Sequence, residues 1–250
     1  MRTFISRYYS VLLVLVAWEI AALVVNNAVF LPTPTAVAAV LGQLVMSGEL
    51  AEHTSISMFR AVSGFFLAAI LGIPLGIAMG RYRSWENFWN PLVSLTYPVP
   101  KIGLIPLFIL WLGIGNISKI AMILAAAIYP VVLSTYSGVK GTPTYIVWSA
   151  RSLGASEAEV LRKIVFPYAL PHILTGLRLA MGISWILLFA AEMIAAQSGL
   201  GWLILYAERM LDTPTVFASL ATIAVLGFLF DRAILAISHR LCDWYTERTS

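Results

Sequence analysis

The sequence predicts an all-α membrane protein, a polytopic bundle of six transmembrane helices forming one domain over residues 1–250. Three observations predict it. Apolar residues make up 60% of the chain and charged residues only 11%, whereas a water-soluble domain carries about 25% charge; mean hydropathy is +0.88. Six apolar stretches each approach the ~20 residues a helix needs to cross the hydrocarbon core: about 9–29, 61–80, 92–112, 117–139, 172–196 and 215–237. Lys and Arg gather on one side of the resulting alternation.

The first stretch follows Arg2 and Arg7. It is long for the apolar core of a signal peptide and no small-x-small cleavage site follows, so it reads as a retained span. The second carries Gly64, Ala68, Gly72, Gly76 and Gly80 at every fourth position. That spacing puts all five on one helical face, where a neighbouring backbone can approach closely. The third is interrupted by Pro98, Pro100, Gly103 and Pro106. Proline removes a backbone donor, and broken helix at membrane depth needs protein or a water-filled cavity over the freed carbonyls. Two readings stay open for it: a path lining, or a kink that shapes the bundle. Between the fifth and sixth spans, Trp202 to Arg209 can form a short helix, and Asp212-Thr213-Pro214 a turn.

Ten basic residues (Arg2, Arg7, Arg81, Arg83, Lys140, Arg151, Arg162, Lys163, Arg240 and Arg248) fall on one side of the spans. Three, Arg60, Lys119 and Arg209, fall on the other. The positive-inside rule therefore puts both termini in the cytoplasm and the loops near 30–60, 113–118 and 197–214 outside. The net charge of +4 is explained by these short loops and does not call for nucleic acid. One cysteine, Cys242, excludes an internal disulfide and a cysteine metal cluster. The histidines at 53, 172 and 239 lack ligand spacing, so no metal is expected. No G-x-x-x-x-G-K-[ST] occurs, so no P-loop nucleotide site is expected in this chain. Ser134 and Ser184 have no histidine level with them, which argues against an enzyme.

The longest cytoplasmic connection, about 140–171, carries its own start and stop signals. Thr142-Pro143 reads as a hydroxyl cap followed by proline at the first helical position. Ile146, Val147, Ala150 and Leu153 recur at helical spacing, and Gly154 suits a left-handed helix end. Ser156 and Glu159 form a capping box that opens a second helix with Val160, Leu161 and Ile164 on its apolar face. Pro167 and Pro171 are expected to stop that helix before the next span. The result is a helix–glycine–helix elbow whose apolar face needs a cover: a partner, the protein's own helices, or the headgroup layer.

Ionisable residues within or near the spans are costly and should face a cavity, a partner or each other. They are Glu19, Lys101, Arg178 and Glu192. Pro98, Pro100, Lys101 and Glu192 are the candidates for a substrate path. Lys101 could meet an anionic solute, or instead snorkel or pair with Glu192 to hold the bundle. Glu192, followed by Gly199-Leu200-Gly201, reads more readily as a hydrogen-bonding group between helices.

The segment Ser149 to Ser156, with Ile164 and Pro167 ten and thirteen residues after Gly154, resembles the EAA loop of binding-protein-dependent ABC transporter permeases, E-A-A-x-x-x-G followed by I-x-x-P. Trp148 and Ser149 stand where that pattern has glutamate and its first alanine. Leu31 to Pro34, Arg60 to Gly80, Pro98 to Lys101, Trp111 to Gly115, and Ala191 to Met193 with Gly199 to Gly201 look like the nitrate/sulfonate/taurine branch. The resemblance covers roughly residues 15–240. It implies a MetI-like permease fold in a bacterial inner membrane, and a homodimer working with two ATPase subunits and an external solute-binding protein. It also implies that Ala150, Arg151, Leu153, Gly154, Ala155, Ile164 and Pro167 form the ATPase-coupling loop, and that the chain is not itself an enzyme. The implied solute is a small anion such as an aliphatic sulfonate, taurine or nitrate; a pyrimidine-type vitamin precursor or an aromatic acid is the alternative. A gradient-driven carrier fits less well, since no internal repeat is visible and the elbow would have no purpose.

Overall fold

The computed structural model describes residues 2–242, with side chains from residue 9 onward. Arg2, Arg7 and Arg248, used above for orientation, therefore have side chains outside the described residues. Within that range the chain is all helical. The helices are α1 (Arg2–Val25), α2 (Pro34–Met46), α3 (Glu49–Arg81), α4 (Arg83–Thr96), α5 (Ile105–Leu112), α6 (Asn116–Lys140), α7 (Thr144–Ser152), α8 (Glu157–Val160), α9 (Phe166–Ala195), α10 (Leu200–Arg209) and α11 (Thr213–Leu241). A 3-10 turn at Lys101–Leu104 leads into α5, and a π turn at Leu161–Val165 joins α8 to α9. The chain divides into two compact units, Met1–Met58 with Glu192–Val225, and Phe59–Ala191 with Leu226–Ser250.

In the larger unit, α6 is the central helix. A Cβ added to Gly64, Gly72, Gly76 or Gly80 would lie 2.6–2.9 Å from Ile123, Val131, Thr135 or Val139 respectively. Each pair is separated by 59 positions, so α3 and α6 pack parallel along the glycine face. On its other side α6 meets α9 in the opposite sense: Gly138 lies against His172 and Ala169, and Gly176 against Ser134 and Pro130. The close approach trades side-chain bulk for backbone contact, the mode available where lipid removes the hydrophobic drive between helices.

The parallel α3–α6 packing also fixes what lies between them. Arg81 ends α3 at the level of Lys140, whereas Arg60 Nε donates to Asn116 Oδ1 at 2.8 Å at the start of α6. The intervening chain must return the length of α6, about 36 Å for 24 steps, close to a bilayer core. It does so as a bent pair, α4 and the 101–112 segment meeting at 87°. The expected span 92–112 is thus one crossing in two pieces. Four helices are individually long and apolar enough to cross, five crossings with the bent pair. The first expected stretch differs: its described apolar helix covers Tyr9–Val25. It ends before residue 29 because Asn26 takes φ 48, a conformation asparagine tolerates better than most side chains.

Two further expectations are corrected. The segment near 30–60, expected as a loop, is mostly helix: Thr33 accepts from Ala36 N and Pro34 occupies the first position of α2, and α3 starts at Glu49. Pro167 and Pro171 do not stop the helix that begins at Glu157, which continues for 39 residues to Ala195. The π turn absorbs the missing donor, Phe166 N bonding back to Leu161 O. Pro171 sits inside α9, where Thr175 Oγ1 bonds its carbonyl at 2.9 Å.

In the smaller unit, Trp18 and Phe217 pack with ring centroids 5.3 Å apart. Glu19 accepts from Thr35 N and Oγ1, which accounts for an acid in the first helix. Leu200, Leu203, Ile204 and Ala207 of α10 are buried.

Candidate functional site

The elbow is built by local backbone chemistry. Gly154 takes φ +88; its N–H bonds to Arg151 O at 2.9 Å and Ala155 N to Ala150 O at 3.0 Å. This pair of bonds is the Schellman closure that satisfies the last carbonyls of α7. The capping box forms on both sides, Ser156 Oγ accepting from Glu159 N and the Glu159 carboxylate accepting from Ser156 N. The start of α7 differs from the expectation: Pro143 is the N-cap, without a side-chain bond, and Thr142 is buried, its hydroxyl without a hydrogen bond among the described residues.

The elbow's apolar residues split between two faces. Val147, Ala150, Ala155 and Leu161 pack on a core of Val139, Val160, Val165, Ala169 and Ile173. Tyr145, Trp148 and Leu153 point away, with Leu153 89% exposed. Ile164 and Pro167 are half-buried. Glu157, which sequence reasoning passed over, receives two guanidinium groups. Arg81 Nη2 lies 2.8 and 2.5 Å from its oxygens, and Arg151 Nη2 is paired with it as well.

The helix that begins here is about 58 Å long against a core of about 30 Å, and its first turns carry Glu157, Glu159, Arg162 and Lys163, charges that belong outside the hydrocarbon core. There the Lys163 ammonium, then Ser156, hold the Glu159 carboxyl down to about 2. The Arg81 guanidinium holds Glu157 below its usual range.

The bend of the third span opens a cavity of about 610 Å³ lined by Tyr97, Pro100, Lys101, Tyr129, Ser134 and largely aliphatic neighbours. Pro100 has no N–H, so the Thr96 carbonyl loses its ordinary helical donor. Lys101 supplies one: Nζ donates to Thr96 O at 2.7 Å and Tyr97 O at 2.6 Å. The ammonium also lies 4.2 Å from the Tyr129 ring centroid, a cation–π distance. Lys101 thus holds the bend while facing the cavity. Pro98 is an exposed residue of the bend.

Glu192, near the end of α9, is only 1% exposed, and its carboxylate reaches the N-terminus of α10. Ser57 Oγ donates to its carboxylate at 2.9–3.0 Å and Gly201 N at 3.0 Å. Ser57 Oγ accepts in turn from Leu200 N at 2.9 Å, and His53 Nδ1 from Gly199 N at 3.1 Å. Amide donors and the positive end of the helix dipole face the buried carboxyl group. Gly199 takes φ +110, and a Cβ there would collide with the carboxylate. Ser57 and His53 lie more than 130 positions from these partners, so no sequence motif announces them.

These features have counterparts in known proteins. The family model described as "Binding-protein-dependent transport system inner membrane component" matches residues 72–242. The taurine transport system permease protein TauC of Escherichia coli is 39% identical over 94% of this chain and 87% of its own length. A putative aliphatic sulfonates transport permease protein, SsuC of Bacillus subtilis, is 36% identical over 92% of this chain and 84% of its own. A chain of the inward-facing MetNI methionine ABC transporter shares the fold, with a TM-score of 0.66 at 18% identity, covering 78% of this chain and 97% of that one. Transport rather than covalent chemistry is the common role, and the chain belongs to the family of binding-protein-dependent transport system inner membrane components, as a non-catalytic ABC permease subunit.

Proposed function

We propose that this permease imports a small sulfonate, such as taurine or an alkanesulfonate, handed over by an external binding protein and driven by two ATPase subunits docked on the elbows of a homodimer. The observation that carries the docking is the split elbow. Val147, Ala150 and Ala155 anchor it on its own core, while Tyr145, Trp148 and Leu153 present apolar surface outward, which an ATPase groove would cover. ATP and Mg belong to that partner; closure of the ATPase pair displaces the elbows and switches the bundle between inward- and outward-facing states. Trp148, where the EAA pattern has glutamate, makes this contact more apolar than charged.

The solute reading rests on the taurine and sulfonate permeases among the relatives. The cavity beside Lys101, mostly aliphatic with a few polar groups, suits a short organic anion in passage. The homodimer reading is supported by Arg178 and Asp231, paired at 2.5 and 3.0 Å on α9 and α11. They are 47% and 34% exposed in the single chain, and charges within a span favour protein or water as a neighbour over lipid. Both termini are assigned to the cytoplasm of a bacterium with this chain in its inner membrane.

The test is purification of the chain with its ATPase and binding protein. Hydrolysis should rise when the binding protein is added with taurine or an alkanesulfonate, and thermal shift of the binding protein should rank these above nitrate and pyrimidines. Absence of any copurifying ATPase would overturn the importer reading; a pyrimidine or nitrate preference would overturn the solute.

A further inference from the structure

Glu157 is the first residue of α8 and stands across the Gly154 turn from α7. Its carboxylate binds Arg81, in the last turn of α3, through both oxygens, and Arg151, in the last turn of α7. One side chain therefore joins three elements: the long helix that runs to Ala195, the elbow helix and the end of α3. Arg81 follows Gly80, whose absent side chain lets α3 lie on Val139 of α6. A second junction lies beside it, where Glu86 of α4 accepts from Lys140 Nζ and Tyr136 Oη of α6, all at 2.6 Å.

The remaining attachment of the elbow is apolar, through Val147, Ala150 and Ala155. Such contacts are non-directional and allow sliding. The charge-assisted hydrogen bonds from Arg81 Nη2 to both carboxylate oxygens are directional. Arg81 is 24% and Glu157 56% exposed, and exposed pairs add little to stability, so the network's consequence is geometric.

We propose that Glu157 is a positioning residue that ties the elbow to the end of α3, so that displacement of the elbow moves the α3–α6 seam. This rests on the reading of the elbow as the ATPase dock. Neither the Glu192 clasp nor the cavity takes part.

The experiment reconstitutes the whole transporter with binding protein and measures solute moved per ATP hydrolysed for Arg81→Ala, Glu157→Gln and the double variant, with ATPase copurification and melting temperature alongside. Each single variant should lower transport per ATP about fivefold, within the range by which a residue linking two coupled elements shifts their coupling. Assembly and melting temperature should be unchanged, and the double should be no worse than either single. Arg81→Lys, which keeps the charge, should retain most of the coupling.

Multiplicative effects in the double variant, or full coupling in both singles, would overturn the inference. Leu153→Asp separates the two ideas, since it should abolish ATPase association. If it does so while the Arg81 and Glu157 variants stay coupled, the dock stands and the tie falls. If it leaves association and coupling intact, the dock falls and takes the tie with it.

Discussion

Two carboxylates organise two regions of this protein by opposite physics. Glu157 sits in solvent on the elbow between two guanidinium groups, and Glu192 is buried among a hydroxyl and backbone N–H groups. The exposed one meets full charges that salt and water screen, so it holds geometry at small energetic consequence. The buried one accepts from a serine hydroxyl and a backbone N–H in a site closed to solvent, where every lost bond leaves an orphan. A moving joint suits the first arrangement, a fixed clasp the second.

The largest test of that contrast swaps both acids for leucine. Glu192→Leu strands Ser57 Oγ and Gly201 N–H in the interior and should destabilise the purified protein by about 3 kcal/mol. Glu157→Leu should leave the melting temperature nearly unchanged. Thermal unfolding in detergent reads both, and equal shifts would erase the distinction.

The two left-handed glycines sharpen it further. Gly199→Ala would combine the conformational penalty with collision against the Glu192 carboxylate, and a loss of about 2–3 kcal/mol is expected. Gly154→Ala meets nothing within 4 Å and carries only the penalty of about 1 kcal/mol. The order of the two melting temperatures is the check.

The smallest pair is serine. Ser57→Ala removes a hydroxyl that both donates to Glu192 and accepts from Leu200 N, for about 2 kcal/mol. Ser156→Ala removes one exposed cap, for about 1 kcal/mol or less. A larger loss at Ser156 would mean that the elbow is more tightly integrated than its exposure implies.

The contrast also separates what the chain announces from what it conceals. The elbow was legible because its signals are local: Gly154, Ser156 and Glu159 act on backbone groups within six positions. The glycine face of α3 was legible as a periodicity, though not its partner. Signals that depend on context misled. Pro167 and Pro171 looked like helix stops, yet a π turn carries the helix past them. Thr142 looked like a cap and is buried without one.

The sequence by itself determined the membrane class, the apolar stretches, the break at Pro98 and Pro100, and the turn at Gly154, because composition and backbone stereochemistry act at short range. Only the tertiary structure decided that α6 lies between α3 and α9 and that the broken third span bends by 87°. It also assigned Lys101 to the Thr96 and Tyr97 carbonyls at the bend, Glu192 to Ser57, and Glu157 to Arg81. Those pairings join residues through packing geometry, and packing depends on which backbones can approach closely enough to bring distant side chains within hydrogen-bond reach.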